Sequence, residues 1–119
     1  MRIFLIETER SHFANELFSA WLKSELPDCE LVRVDDGTEN VMEILPIAIT
    51  EGIDMAIHLG EPTLGAAIQM GILSAMGVRV HAFGLPTEGL DPTLYQIVDC
   101  WSWGYGDFDD IREALTPAT

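Results

Sequence analysis

Residues 53–83, IDMAIHLGEPTLGAAIQMGILSAMGVRVHAF, hold the pattern that decides the fold. Ile53 to Leu59 is an apolar run of strand length, and Gly60-Glu61-Pro62-Thr63 is a turn. Leu64 to Met76 is a strongly apolar helix, ended by Gly77, a natural residue just past a helix C-terminus. Val78 to Phe83 is apolar again. Strand, helix and strand in this order put two parallel strands side by side with the helix crossing over one face.

The same alternation continues in both directions. Ile3 to Ile6 is a strand, followed by an amphipathic helix from Ser11 to Leu26 with Phe13, Leu17, Trp21 and Leu22 turned inward. Pro27 and Asp28 stop it. Glu30 to Val34 is the next strand. Thr38 then caps a helix running to about Gly52, with Val41, Ile44, Leu45 and Ile49 inward and Pro46 interrupting its middle. After the 53–83 unit, Gly84 to Pro92 is loop, Tyr95 to Val98 a short fifth strand, and Asp107 to Leu115 a last helix opened by acidic residues. The pattern predicts an α/β fold: a flavodoxin- or Rossmann-like three-layer sandwich around a five-stranded parallel sheet, one domain over residues 1–119, with no internal repeat or linker.

Composition agrees and narrows the partners. The chain has 119 residues, of which 48% are apolar and 22% charged, ordinary for a globular core. Six Lys and Arg against twenty Asp and Glu leave a formal charge of -14. That balance argues against a nucleic-acid backbone or an anionic membrane surface, since either would be repelled. No apolar run approaches the roughly 20 residues a membrane span needs. The greasy start, Met1 to Glu7, is too short for a secretory signal and lacks a small-residue cleavage site, so a cytoplasmic location is expected. Cys29 and Cys100 have no metal-like spacing and read as reduced thiols. No cofactor and no metal are implied.

In a parallel sheet of this kind, ligands bind beyond the carboxyl ends of the strands. The loops to search are Glu7–Ser11, Asp35–Thr38, Gly60–Leu64, Gly84–Thr93 and Asp99–Asp107. Glu7-Thr8-Glu9-Arg10-Ser11 offers hydroxyls, an Arg and a helix start that can hold a phosphate; the more ordinary reading is a capped helix start with surface charges, and two glutamates beside the Arg weaken an anion site. Gly65, Ala66 and Ala67 keep the next helix start free of bulk, so a ligand can approach its backbone N–H groups. Thr63 can cap that helix and touch the ligand. Gln69 is the one polar side chain in this apolar helix, one turn in. It serves either a ligand or a hydrogen bond that fixes a neighbouring loop. His58 and His81 lie within strands, where a packed core role is the ordinary one. Trp101, Trp103 and Tyr105 can stack on a base, pack on another subunit or cover the core.

Pro62-Thr63-Leu64-Gly65-Ala66-Ala67-Ile68-Gln69-Met70-Gly71 resembles the motif of the nucleoside 2-deoxyribosyltransferase superfamily, which includes the 2′-deoxynucleoside 5′-monophosphate N-glycosidases. That motif runs Pro, Ser or Thr, often Leu, Gly, small residues, Glu, an apolar residue and Gly. Ile53-Asp54-Met55-Ala56-Ile57 resembles the family's Ala-Asp strand start. Ile3 to Arg10 lines up with its first strand and loop, and Trp103-Gly104-Tyr105 with its C-terminal segment. The resemblance implies cleavage or transfer at the N-glycosidic bond of a nucleoside or its monophosphate. In the family a Glu attacks the anomeric carbon, giving a glycosyl-enzyme that water or a second base resolves. Here Gln69 stands at that Glu position, with Asp54 and Glu61 as further catalytic candidates. Phe4, Thr8, Arg10, Thr63, Gly65 and, on looser spacing, Thr93 would bind the sugar and 5′-phosphate. An amide cannot replace a nucleophilic carboxylate, so Gln69 reads either as an engineered Glu-to-Gln change that traps substrate or as a lineage in which the chemistry is lost or altered. The alternative is a non-catalytic nucleotide sensor or sponge of the same fold. A homo-oligomer, most simply a dimer, is implied because the family builds its sites across dimer interfaces.

Overall fold

The computed structural model describes residues 1–8, 11–33, 52–84, 92–98, 100–102 and 109–115. Strands β1 (Arg2–Ile6), β2 (Glu30–Val32), β3 (Met55–Leu59), β4 (Arg79–Phe83) and β5 (Cys100–Ser102) form one sheet in the order β2-β1-β3-β4-β5. All four pairings are parallel. The helices are α1 (His12–Glu25), α2 (Leu64–Ala75), α3 (Pro92–Ile97) and α4 (Asp109–Leu115).

Alternation along the strands builds two cores. Phe4 and Ile6 of β1, Ala56 of β3, and Val80 and Ala82 of β4 pack against Ala66, Met70 and Leu73 of α2 and Leu94 of α3. Their neighbours Ile3, Leu5, Met55, Ile57, Leu59 and Phe83 point the other way, onto Ala14, Phe18 and Leu22 of α1 and Ile111 and Leu115 of α4. Consecutive strand residues therefore serve opposite faces, as the period of two requires. The result is a three-layer sandwich, α1 and α4 on one side, α2 and α3 on the other. Arg112 joins the two helices of the first layer: it pairs with Glu25 at 3.0 Å and lies over the Trp21 ring.

The βαβ unit forms as its pattern dictates. Thr63 caps α2 with its side chain accepting from the Ala66 N–H at 3.1 Å, and Gly77 ends it at φ +86°, a backbone state open to glycine. Elsewhere the structure corrects the sequence. Phe13 and Leu17 are exposed, at 76% and 48%. The buried face of α1 is instead Ala14, Asn15, Phe18, Ser19 and Leu22. Two apolar stripes lie side by side on this helix, and the one with small residues lets it approach the sheet closely. Tyr95 to Val98 is not a strand. Pro92 opens α3 there, and the sheet edge falls later, at Cys100–Ser102. A short apolar run fits either state, and proline at a first helical position favours the helix. The expected helix from Thr38 lies outside the described residues, as do Trp103 and Tyr105. Among the described residues no helix is long and apolar enough to cross a membrane.

Candidate functional site

Strand order reverses between β1 and β3: β2 lies outward from one, β4 from the other. The carboxyl ends of this pair open the crevice where such sheets bind ligands. Glu7, Thr8 and Ser11 follow β1, and Gly60 to Thr63 follow β3. A hydrogen-bonded chain ties the two loops. The Thr8 hydroxyl donates to Ser11 Oγ at 3.2 Å, and Ser11 Oγ donates to the Leu59 carbonyl. Gly60 turns at φ +87° directly below, where an added Cβ would stand 3.1 Å from Ser11 Oγ. Its N–H donates to the Phe83 carbonyl at 2.7 Å, so the turn is also held to β4.

On the α1 side of the crevice Arg33, just past β2, forks onto Glu7 and also reaches Glu16 of α1 at 2.6 Å. Glu7 is almost buried, and these contacts keep the guanidinium firmly charged. The same bond pulls the exposed Glu16 carboxyl below its ordinary pKa.

On the other face, α2 presents its first turns to the crevice. With Thr63 capping, the N–H groups at the start of this helix have no acceptor within it. Gln69 lies on the inward side with Ala66, Met70 and Leu73 and is 1% exposed, yet its Nε2 has no hydrogen-bond partner among the described residues. His58, next to last in β3, is fully buried, and among the described residues its ring meets a polar partner only at the Gly60 backbone. Asn15 of α1 is another buried polar side chain whose amide atoms have no hydrogen-bond partner among the described residues.

Burial holds His58 neutral, with a pKa lowered to about 4. Below about 6.5 the unfolded imidazole takes up a proton that the folded one refuses until about 4. Stability therefore falls as pH drops through that window, by about 3 kcal/mol from this residue when the shift is converted. Urea unfolding at pH 7 and 4.5 should show a smaller acid loss in His58→Leu than in the parent. Equal losses would refute the assignment.

The residues singled out from sequence divide clearly. Thr8, Thr63 and Gly65 lie just beyond the carboxyl ends of β1 and β3, with exposed Glu61 on the same turn, and Gln69 lies further along α2 on its inward side. Phe4 is a core residue, 1% exposed and packed under α2. Thr93 is exposed at the start of α3. Asp54 stands at the opposite, amino end of β3, where its carboxylate accepts the Arg2 N–H at 2.7 Å. Arg10 lies outside the described residues. Ser11 and Arg33 gave no sequence signal of their roles, because their partners are 48 and 26 residues away.

No protein-family model and no curated protein sequence matches the chain. Solved structures do. The CMP N-glycosidase BcmB of Clostridium botulinum superposes with a TM-score of 0.61 and 16% identity, covering 98% of this chain and 100% of that one. The chain shares its fold with this CMP N-glycosidase. BcmB is of the nucleoside 2-deoxyribosyltransferase-like group, the family whose motif residues 62–71 resemble. The SEFIR domain of IL-17 receptor B also matches, at a TM-score of 0.57 and 10% identity over 97% of this chain and 94% of its own. At such identities each likeness is one of fold, and a fold shared by a glycosidase and a receptor domain leaves function to the site.

Proposed function

We propose that the crevice between β1 and β3 binds a nucleoside or nucleoside 5′-monophosphate, with the anomeric carbon at Gln69, on a scaffold built for N-glycosidic bond cleavage or transfer. The observation that carries this is Gln69 itself: a carboxamide buried to 1% exposure, its Nε2 unpartnered, at the position where the resembled motif has its nucleophilic Glu. Buried polar groups are ordinarily satisfied, so one left open beside a ligand crevice supports a ligand role. In this reading Thr63 and Gly65 at the start of α2 and Thr8 beyond β1 surround the sugar and 5′-phosphate. The similarity of fold to a CMP N-glycosidase supports the same substrate class.

The carboxamide also favours a second reading, a nucleotide sensor of this fold that binds without turnover, since an amide is neutral and a poor nucleophile. One experiment separates the two. Base release from nucleosides and 5′-monophosphates is followed chromatographically for the chain and for Gln69→Glu. Release by the variant supports the glycosidase scaffold, binding without release by either supports the sensor, and neither binding nor release overturns both.

We also infer a homo-oligomer. Phe13 and Leu17 on α1, and Leu64 and Ile68 on α2, expose apolar side chains four residues apart on each helix. Sedimentation should give at least a dimer that Phe13→Ser with Leu17→Ser weakens, and a monomeric parent would refute this.

A further inference from the structure

We propose that His58 is a specificity-determining contact: its imidazole and the Gln69 carboxamide together hold the hydroxyl next to the anomeric carbon, so that ribonucleosides and their monophosphates are preferred to the 2′-deoxy forms. This rests on the proposal that places the anomeric carbon at Gln69.

The placement comes from register. His58 pairs with Ile6 of β1 on one side and Ala82 of β4 on the other, at the seam where strand order reverses. Ile6, Ala82 and Ala56, two residues earlier in β3, all face α2. Alternation therefore turns His58 to the same layer. Gln69 enters that layer from the opposite side, in line with Ala66 and Leu73. Both are at most 1% exposed; the His58 ring meets the Gly60 backbone, which leaves its acceptor nitrogen and Gln69 Nε2 without a partner among the described residues.

The chemistry of those nitrogens selects their complement. The amide nitrogen is a donor only, whereas a neutral imidazole carries one donor and one acceptor nitrogen. A phosphate or carboxylate offers acceptors and leaves the acceptor nitrogen of His58 unmet. A hydroxyl accepts from Gln69 and donates to His58 at once. In a nucleoside bound with its anomeric carbon at Gln69, the nearest hydroxyl is the 2′-hydroxyl, and a 2′-deoxy sugar lacks it. A site that hydrogen-bonds a hydroxyl discriminates strongly against the analogue without it, because its buried polar groups are then left unpaired.

The test is titration calorimetry of the whole chain with CMP and with dCMP, for the parent and for His58→Leu. The parent should bind CMP at least about tenfold more tightly than dCMP, and the variant should bring the two within about threefold while keeping its far-UV circular dichroism. If His58→Leu does not fold, His58→Phe, which fills the ring volume without its nitrogens, is read in the same way. Equal affinities in the parent, or a preference preserved in the variant, overturn the inference while leaving nucleotide binding intact. Binding of neither nucleotide overturns the proposed function and this inference together.

Discussion

Gln69→Glu is expected to raise base release from the accepted nucleotide by at least about a thousandfold, since a covalent nucleophile is worth several orders of magnitude. The substitution changes one amide nitrogen to an oxygen and leaves the shape of the side chain intact. The nitrogen it replaces makes no hydrogen bond among the described residues, so little is lost from the folded protein. What is gained is a carboxylate that attacks the anomeric carbon as the C–N bond to the base breaks. The base departs with the bonding electrons and is protonated. Water then attacks the glycosyl ester, restoring the carboxylate. Burial at 1% exposure should also raise this new carboxyl's pKa. A raised carboxyl pKa means that the folded state binds more protons, so stability relative to the parent should decline as pH rises through the raised value. Chromatography of free base at several pH values measures the first effect, and urea midpoints measure the second. A variant that binds nucleotide and releases no base would remove the nucleophile role from position 69.

Much of this site is legible along the chain. The βαβ unit is local: the apolar runs, the Thr63 cap and Gly77 act within a few residues of one another, so pattern alone places α2 and, with it, Gln69. The inward face of α1 was harder, because Phe13–Leu17 and Ala14–Phe18–Leu22 both make apolar stripes and only the sheet decides between them. The sheet edge is hidden for a related reason: four apolar-rich residues after a proline carry no period long enough to separate strand from helix. Least visible was what joins the loops. Ser11 to Leu59 and Arg33 to Glu7 are contacts across the fold, and nothing near any of the four residues names its partner. Asp54 shows the reverse error, a resemblance motif whose side chain holds the amino end of the sheet.

Arg33→Ala is the substitution expected to cost most in stability, about 2–3 kcal/mol by urea unfolding at pH 7. Breaking a fully buried pair costs about 3–5 kcal/mol, and the lower figure here reflects the partial exposure of Arg33, at 29%. Glu7 is the reason for the cost. It follows β1 directly, is 9% exposed, and accepts both arms of the guanidinium fork. Without Arg33 its charge stays in the crevice wall with that partner gone. Arg33→Lys should recover only part of the loss, because an ammonium cannot reproduce the fork. The double variant Glu7→Gln with Arg33→Met should be more stable than Arg33→Ala alone, since no uncompensated charge remains. The pH dependence has a defined sign. Arg33 lowers the pKa of Glu16 in the folded state, so that contribution is present above the ordinary glutamate value of 4.5 and is lost as pH falls through the lowered one. The part of the gap between parent and Arg33→Ala that comes from Glu16 should therefore close in acid, and a gap that stays constant from pH 7 to acid would show that this contact contributes nothing through charge.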